Sequence, residues 1–178
     1  MNTFDTAREI RAMLWARWLL RDVDSIGTRV RLHGRPKVVN RGRITIGQRT
    51  RFDSSTATTE IVSEADGHLD IGERCFINFG VSLSASDHVR IGDRTHIGPY
   101  CMLLDNAYHH VEPELRLVRP PSKPIILEEN VWLAARVIVL PGVTIGKDSC
   151  VGAGSIVTKD IPPGVVAAGL PARVIREL

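Results

Sequence analysis

The chain has 178 residues, 43% of them hydrophobic but only 5% aromatic, and a formal net charge of +3 at pH 7. That length builds one domain, or one and a half, with a substantial core. The scarcity of aromatics points to a narrow aliphatic interior, and so mild a charge gives no footprint for a nucleic-acid partner.

In chain order, Thr6 and Glu9 have capping-box spacing, and REIRAMLWARWLLRD follows without Gly or Pro. This predicts an N-terminal helix from about Thr6 to Arg21, within a unit covering residues 1–24. Its apolar surface (Ile10, Met13, Leu14, Trp15, Trp18, Leu19, Leu20) is interrupted by Arg11 and Arg17, which excludes a membrane span. Two roles stay open: capping the end of the next unit, or lying on an anionic membrane surface as a peripheral contact. The polar start and the lack of a small-residue cleavage pattern predict no signal peptide. Cys75, Cys101 and Cys150 stand far apart, with neither a CxxC pair nor zinc-ligand spacing. They read as reduced thiols in a cytoplasmic protein.

From Ser25 a repeat begins weakly, with Ile46 and Phe52 six apart. Asp53–His68 is polar and out of register, and Ile71, Ile77 and Leu83 restore the pattern. A two-residue slip near Ser86–Val89 leads to Ile91, Ile97 and Leu103. The register then fails over residues 105–124, which carry four prolines and the pair His109 and His110. So long a structureless stretch in a compact domain is functional or disordered, and the paired histidines favour function.

The clearest pattern follows. Leu127, Leu133, Val139, Ile145, Val151 and Val157 recur every six residues, each followed four later by Val131, Val137, Val143, Ser149, Ser155 or Ile161. Neither a 3.6-residue helical period nor strand alternation fits; a hexapeptide β-helix does. Each hexad forms one side of a triangular prism, with the aliphatic pointing inward and stacking on its equivalents in neighbouring coils, about 4.8 Å apart. Gly146 and Gly152 take turn positions. The β-helix is assigned to residues 25–161, and a basic tail to 162–178. None of the six histidines has the spacing of a catalytic zinc site, so no metal is expected. His88 and His96 read as outward-facing, His33 and His68 as solvated.

INFG (Ile77–Gly80), YHHVEPELR after Asp105, NVWLAARVIVLPGVTIG, and GAGSIVTKDIPPGVVAAGLPARVIRE occur in this order. Together they resemble the hexapeptide-repeat O-acetyltransferases, the group of galactoside and maltose acetyltransferases, over about Ile71–Leu178. The resemblance implies an all-β, left-handed parallel β-helix, assembled as a homotrimer whose sites lie between the coils of one subunit and the loop of the next. It also implies acetyl transfer from acetyl-CoA to a saccharide hydroxyl, with His109 as general base. Such a base is worth about 10² to 10⁴ in rate, and an imidazole with a free pKa of about 6.5 suits neutral pH. Asp105 or Glu112 is expected to orient the ring.

By the same resemblance Asn78 contacts the acceptor and the Ala135 backbone N–H faces the thioester oxygen. Trp132, Ala135, Ala153, Thr158, Lys159, Arg173 and Arg176 line the CoA groove. Asn78 also reads as a turn-stabilising corner residue, and the basic residues as a solvated end. The resemblance stops before Ile71. The arginine- and tryptophan-bearing N-terminus has no place in the galactoside and maltose pattern, and points instead to acceptors among surface polysaccharides or their lipid-linked precursors. The rival readings are acyl transfer to an amino or other non-saccharide acceptor, and a non-catalytic scaffold.

Overall fold

A computed structural model describes residues 3–178. After the helix the chain winds into a left-handed parallel β-helix of about 7 turns. The first coil is formed by the strands Ser25–Ile26, Arg31–Gly34 and Lys37–Asn40, the sixth by Thr144–Ile145, Cys150–Val151 and Ile156–Val157. Each coil contributes one strand to each of three faces.

Register explains the six-residue period. On the second face Phe52, Ile77, Ile97, Leu133, Val151 and Ala167 lie opposite one another in succession, and Ile61, Leu83, Leu103, Val139 and Val157 do so on the third. All are at most 1% exposed. Burying one such side chain is worth about 1.5 to 3 kcal/mol, so the interior ladders dominate the stability. The small position of the hexad fills the corners with Val131, Val137, Ser149 and Ser155, and with Cys75 and Cys101. Burial pushes both of these thiols up to about 11. Their Sγ atoms donate to the carbonyls of Gly92 and Ala134.

The N-terminal half is more regular than its sequence suggests. Residues 25–63 form two complete coils, and the polar segment carries the strands Glu60–Ser63 and His68–Ile71 with Ile61 and Leu69 fully buried, although extra residues in its turns interrupt the six-residue spacing. Hydroxyl groups also stand in for aliphatics there. Thr50, Thr59 and Ser63 occupy interior corner positions and donate to the carbonyls of Gly72, Asp53 and Gly67. The two-residue slip is absorbed in the turn at Ser86 and Asp87, after which Ile91 lies opposite Ile71.

The helix spans Thr3–Leu19, so Thr6 lies inside it rather than at its N-cap, and it ends two residues before Arg21. Glu9 pairs with Arg31 of the first coil at 2.9 Å instead of closing a capping box. Ala12, Ala16 and Leu20 are buried, the last two in one cluster with Val30, Leu32 and Ile44. The helix therefore covers the open end of the prism. At the far end, strand Ala172–Glu177 pairs antiparallel with Val165–Gly169 and closes the second face.

Leu133→Ala should cost about 2 to 5 kcal/mol in urea unfolding, because a cavity opens in a ladder that cannot collapse. Arg90→Ala, exposed outside the same prism, should stay within about 0.5 kcal/mol. Equal effects would contradict the ladder as the source of stability.

Candidate active site

The outer surface of the second face carries a ladder built by the same register. Arg51, Phe76, His96, Trp132 and Cys150 follow one another outward. The Arg51 guanidinium lies 4.2 Å over the Phe76 ring, and Phe76 meets His96 edge to face at 6.4 Å. Beside this ladder runs a column of small residues, Gly98, Ala134, Gly152 and Ala168. A Cβ on Gly98 would sit 2.7 Å from the Ala134 carbonyl carbon, and one on Gly152 2.8 Å from the Ala168 Cβ. The smallness of the column leaves a groove of about 240 Å³, lined by Phe76, Asn78, His96, Trp132, Ala135 and neighbouring residues.

Two groups at its edge are free to bond a ligand. Asn78 Oδ1 accepts the Phe79 N–H at 2.9 Å, which braces the corner and leaves the Nδ2 amide as donor. Among the described residues the Ala135 N–H donates to no backbone carbonyl, whereas the neighbouring Ala134 and Arg136 N–H groups donate to Val151 and Pro99.

The loop of residues 105–124 leaves the helix after Met102–Leu104 and returns at Ile125–Leu127. Its base is pinned from inside. Asp105 is fully buried and its carboxylate accepts the N–H groups of Ser86 and Asp87 at 2.8 and 2.7 Å. Asn106 donates to the Pro120 carbonyl and the Ser122 hydroxyl and accepts from the Tyr108 N–H. Arg119 reaches back to the Ser86 hydroxyl and toward Glu64, and stacks over Tyr108.

In this frame His109 Nδ1 lies 2.7 Å from the Arg116 carbonyl oxygen. A carbonyl only accepts, so Nδ1 carries a proton, and in the neutral ring the lone pair is on Nε2. The ring borders a cavity of about 240 Å³ shared with His110, Pro120, Pro121, Lys123 and Pro141. Neither Asp105 nor Glu112 orients it. Asp105 is consumed at the loop base, and Glu112 lies 3.7 Å from His110 Nδ1. The orienting group is a backbone carbonyl, which sequence cannot single out.

Residues 124–159 match the bacterial transferase hexapeptide family (six repeats). Galactoside O-acetyltransferase of Escherichia coli (strain K12) is 47% identical over 112 residues, 62% of this chain and 55% of its own length. The chain thus spans about half the length of that curated relative. A putative acetyltransferase of Staphylococcus aureus (strain COL) is 32% identical over 152 residues, covering 82% of this chain and 74% of its own. The chain belongs to the hexapeptide-repeat acetyltransferase family. Its fold also matches that of AntD, an N-acyltransferase from Bacillus cereus in complex with dTDP and 3-hydroxybutyryl-CoA. The TM-score is 0.77 at 21% identity, over 90% of this chain and 86% of that one.

Within one chain of this family member the expected site residues fall into two groups. Asn78, Trp132 and Ala135 share the groove. Ala153 lies on the same corner, where the Gly154 N–H donates to the Ala135 carbonyl. Arg173 and Arg176 continue the second face on its last strand, opposite Ala168 and Val166. His109 belongs instead to the corner between the third and first faces. Thr158 and Lys159 follow the third-face strand Ile156–Val157 onto that corner, beside Leu140 and Pro141, where the Leu140 N–H donates to the Val157 carbonyl. One whole face separates the two groups.

Phe76 and His96 line the groove, where the sequence marks His96 only as outward-facing and does not single out Phe76. The signal was their offset: each directly precedes an interior aliphatic, as Trp132 does.

Asp105→Ala leaves the Ser86 and Asp87 N–H groups without their acceptor, at a cost of about 1 to 3 kcal/mol each, and frees the loop base. Trypsin should then cut after Arg116 markedly faster than in the parent protein. Unchanged cleavage and stability would show that the loop is held by other contacts.

Proposed function

We propose that the protein is an acetyl-CoA-dependent O-acetyltransferase that acts on a saccharide hydroxyl, in surface polysaccharide or glycoconjugate biosynthesis. The observation that carries this reading is the His109 ring, whose Nδ1 is committed to the Arg116 carbonyl and whose Nε2 is left as a base in an open cavity. Acyl transfer to a hydroxyl needs such a group, because a neutral hydroxyl is a poor nucleophile.

His109 Nε2 takes the hydroxyl proton as the acceptor oxygen forms its bond to the acetyl carbonyl carbon. The Ala135 N–H stabilises the oxyanion that develops. As the carbon–sulfur bond breaks, the imidazolium returns its proton to the departing thiolate, leaving an acetyl ester and CoA. Asn78 Nδ2 holds the acceptor. Trp132 and the small-residue column give the pantetheine arm an extended track, with Ala153 beside it. Thr158, Lys159, Arg173 and Arg176 meet the polar and phosphate end.

The separation of the two groups by one face supports a site shared between copies, the groove corner of one chain facing the loop corner of the next. A closed homotrimer repeats that contact around its axis. The 47% identity to a galactoside O-acetyltransferase supports oxygen as the acceptor atom, and the S84A mutant of AntD, in complex with dTDP-4-amino-4,6-dideoxyglucose and coenzyme A, keeps an amino sugar as the second reading.

His109→Ala should lower kcat by about 10² to 10⁴, with acetyl-CoA binding and assembly retained; His110→Ala should be far milder. Charge removal at Lys159, Arg173 or Arg176 should raise the KM for acetyl-CoA and leave the acceptor KM unchanged. Mass spectrometry of an acceptor panel reads the product: an ester labile to hydroxylamine supports the hydroxyl, a stable amide the amino sugar. Full activity in both histidine variants would remove the base from this loop and the mechanism with it.

A further inference from the structure

The N-terminal helix is apolar on two opposite sides. Ala12, Ala16 and Leu20 are buried against the first coil. Ile10, Leu14 and Trp18, also spaced by four, form a second stripe, and Trp15 stands beside it with its ring centroid 5.4 Å from that of Trp18. These four side chains are 44 to 66% exposed. Capping the prism therefore accounts for one face of the helix and leaves the other without a partner among the described residues.

Charge says what that face meets. Residues 1–51 hold twelve Lys and Arg against four Asp and Glu, a net of +8, while the rest of the chain carries −5 of the total of +3. Arg11 and Arg17 of the helix and Arg21 just after it are exposed, as are Arg29, Arg35, Arg41, Arg43, Arg49 and Arg51 of the first two coils. Exposed tryptophans and leucine on a basic helix match the interfacial zone of a bilayer, where indole rings sit at headgroup level and arginines meet anionic lipid. The same face of a second copy would set arginines against arginines.

We propose that this end of the prism docks on an anionic membrane surface, with Ile10, Leu14, Trp15 and Trp18 entering the interface and the surrounding arginines binding lipid phosphates. The helix lies along the surface and does not cross it; no described helix is long and apolar enough to span a membrane. Docking uses none of the residues of the acyl-transfer site and stands independently of it.

The test is co-sedimentation of the full-length chain with vesicles of phosphatidylcholine alone or mixed with phosphatidylglycerol. Binding is expected only to the mixed vesicles, with a blue shift of tryptophan emission and release as salt is raised. An arginine near such a surface is worth about fivefold in affinity, so Arg11→Gln/Arg17→Gln should weaken binding roughly 25-fold. Leu14→Ser/Trp18→Ser should abolish most of it at unchanged melting temperature, since both side chains lie outside the core. Failure to bind mixed vesicles, or equal binding to phosphatidylcholine alone, overturns the proposal. So does a smaller sedimentation mass in the Leu14/Trp18 variant, which would assign the face to a second copy.

Discussion

Everything in this molecule depends on the stacking of one aliphatic side chain on the next at the spacing of paired strands. The prism is so narrow that Phe52 is the largest side chain fully enclosed in it. With the inner positions fixed, the outer ones are fixed as well: each residue before an interior aliphatic joins an outward ladder. The ladder of Arg51, Phe76, His96 and Trp132 is thus a by-product of the core register. The groove beside it needs only small residues at one further position, which Gly98, Ala134, Gly152 and Ala168 supply.

The same rigidity explains why the proposed base is carried off the prism. A corner turn of two or three residues cannot aim an imidazole into a cavity, and the one long departure from the repeat does so. That departure is ordered by groups from the coil beneath. Buried Asp105 holds the turn that absorbs the two-residue slip, so the irregularity in the repeat and the anchoring of the loop are one feature. At 4.8 Å per coil, the groove in the third to fifth coils stands about 10 to 20 Å from the first coil.

The repeat from Leu127 onward was plain in the sequence because nearly all its interior positions are aliphatic. The second coil was obscured by extra turn residues that break the six-residue spacing, and where Thr50, Thr59 and Ser63 take interior corner positions, since a buried hydroxyl bonded to a carbonyl has no hydrophobic signature. His109 was reached through the resemblance of its motif, and its separation from Asn78 follows from topology, which a linear motif does not display. Its orienting partner was misjudged. Side chains were the only candidates visible in the sequence, and a backbone carbonyl seven residues on depends on how the loop folds back. The helix was foreseen as apolar and broad. That it is buried on one side and open on the other came only from seeing which residues the first coil covers.

The central claim is that the catalytic site is divided between copies of the chain, and subunit complementation tests it most directly. His109→Ala and Asn78→Ala proteins, each of low activity alone, are co-expressed or mixed through reversible dissociation. If each site takes its loop from one chain and its groove from the next, one site in four pairs two intact halves, so activity should recover to about a quarter of the parent value. Mixed assemblies no more active than the separate variants would place both halves in a single chain and contradict the account.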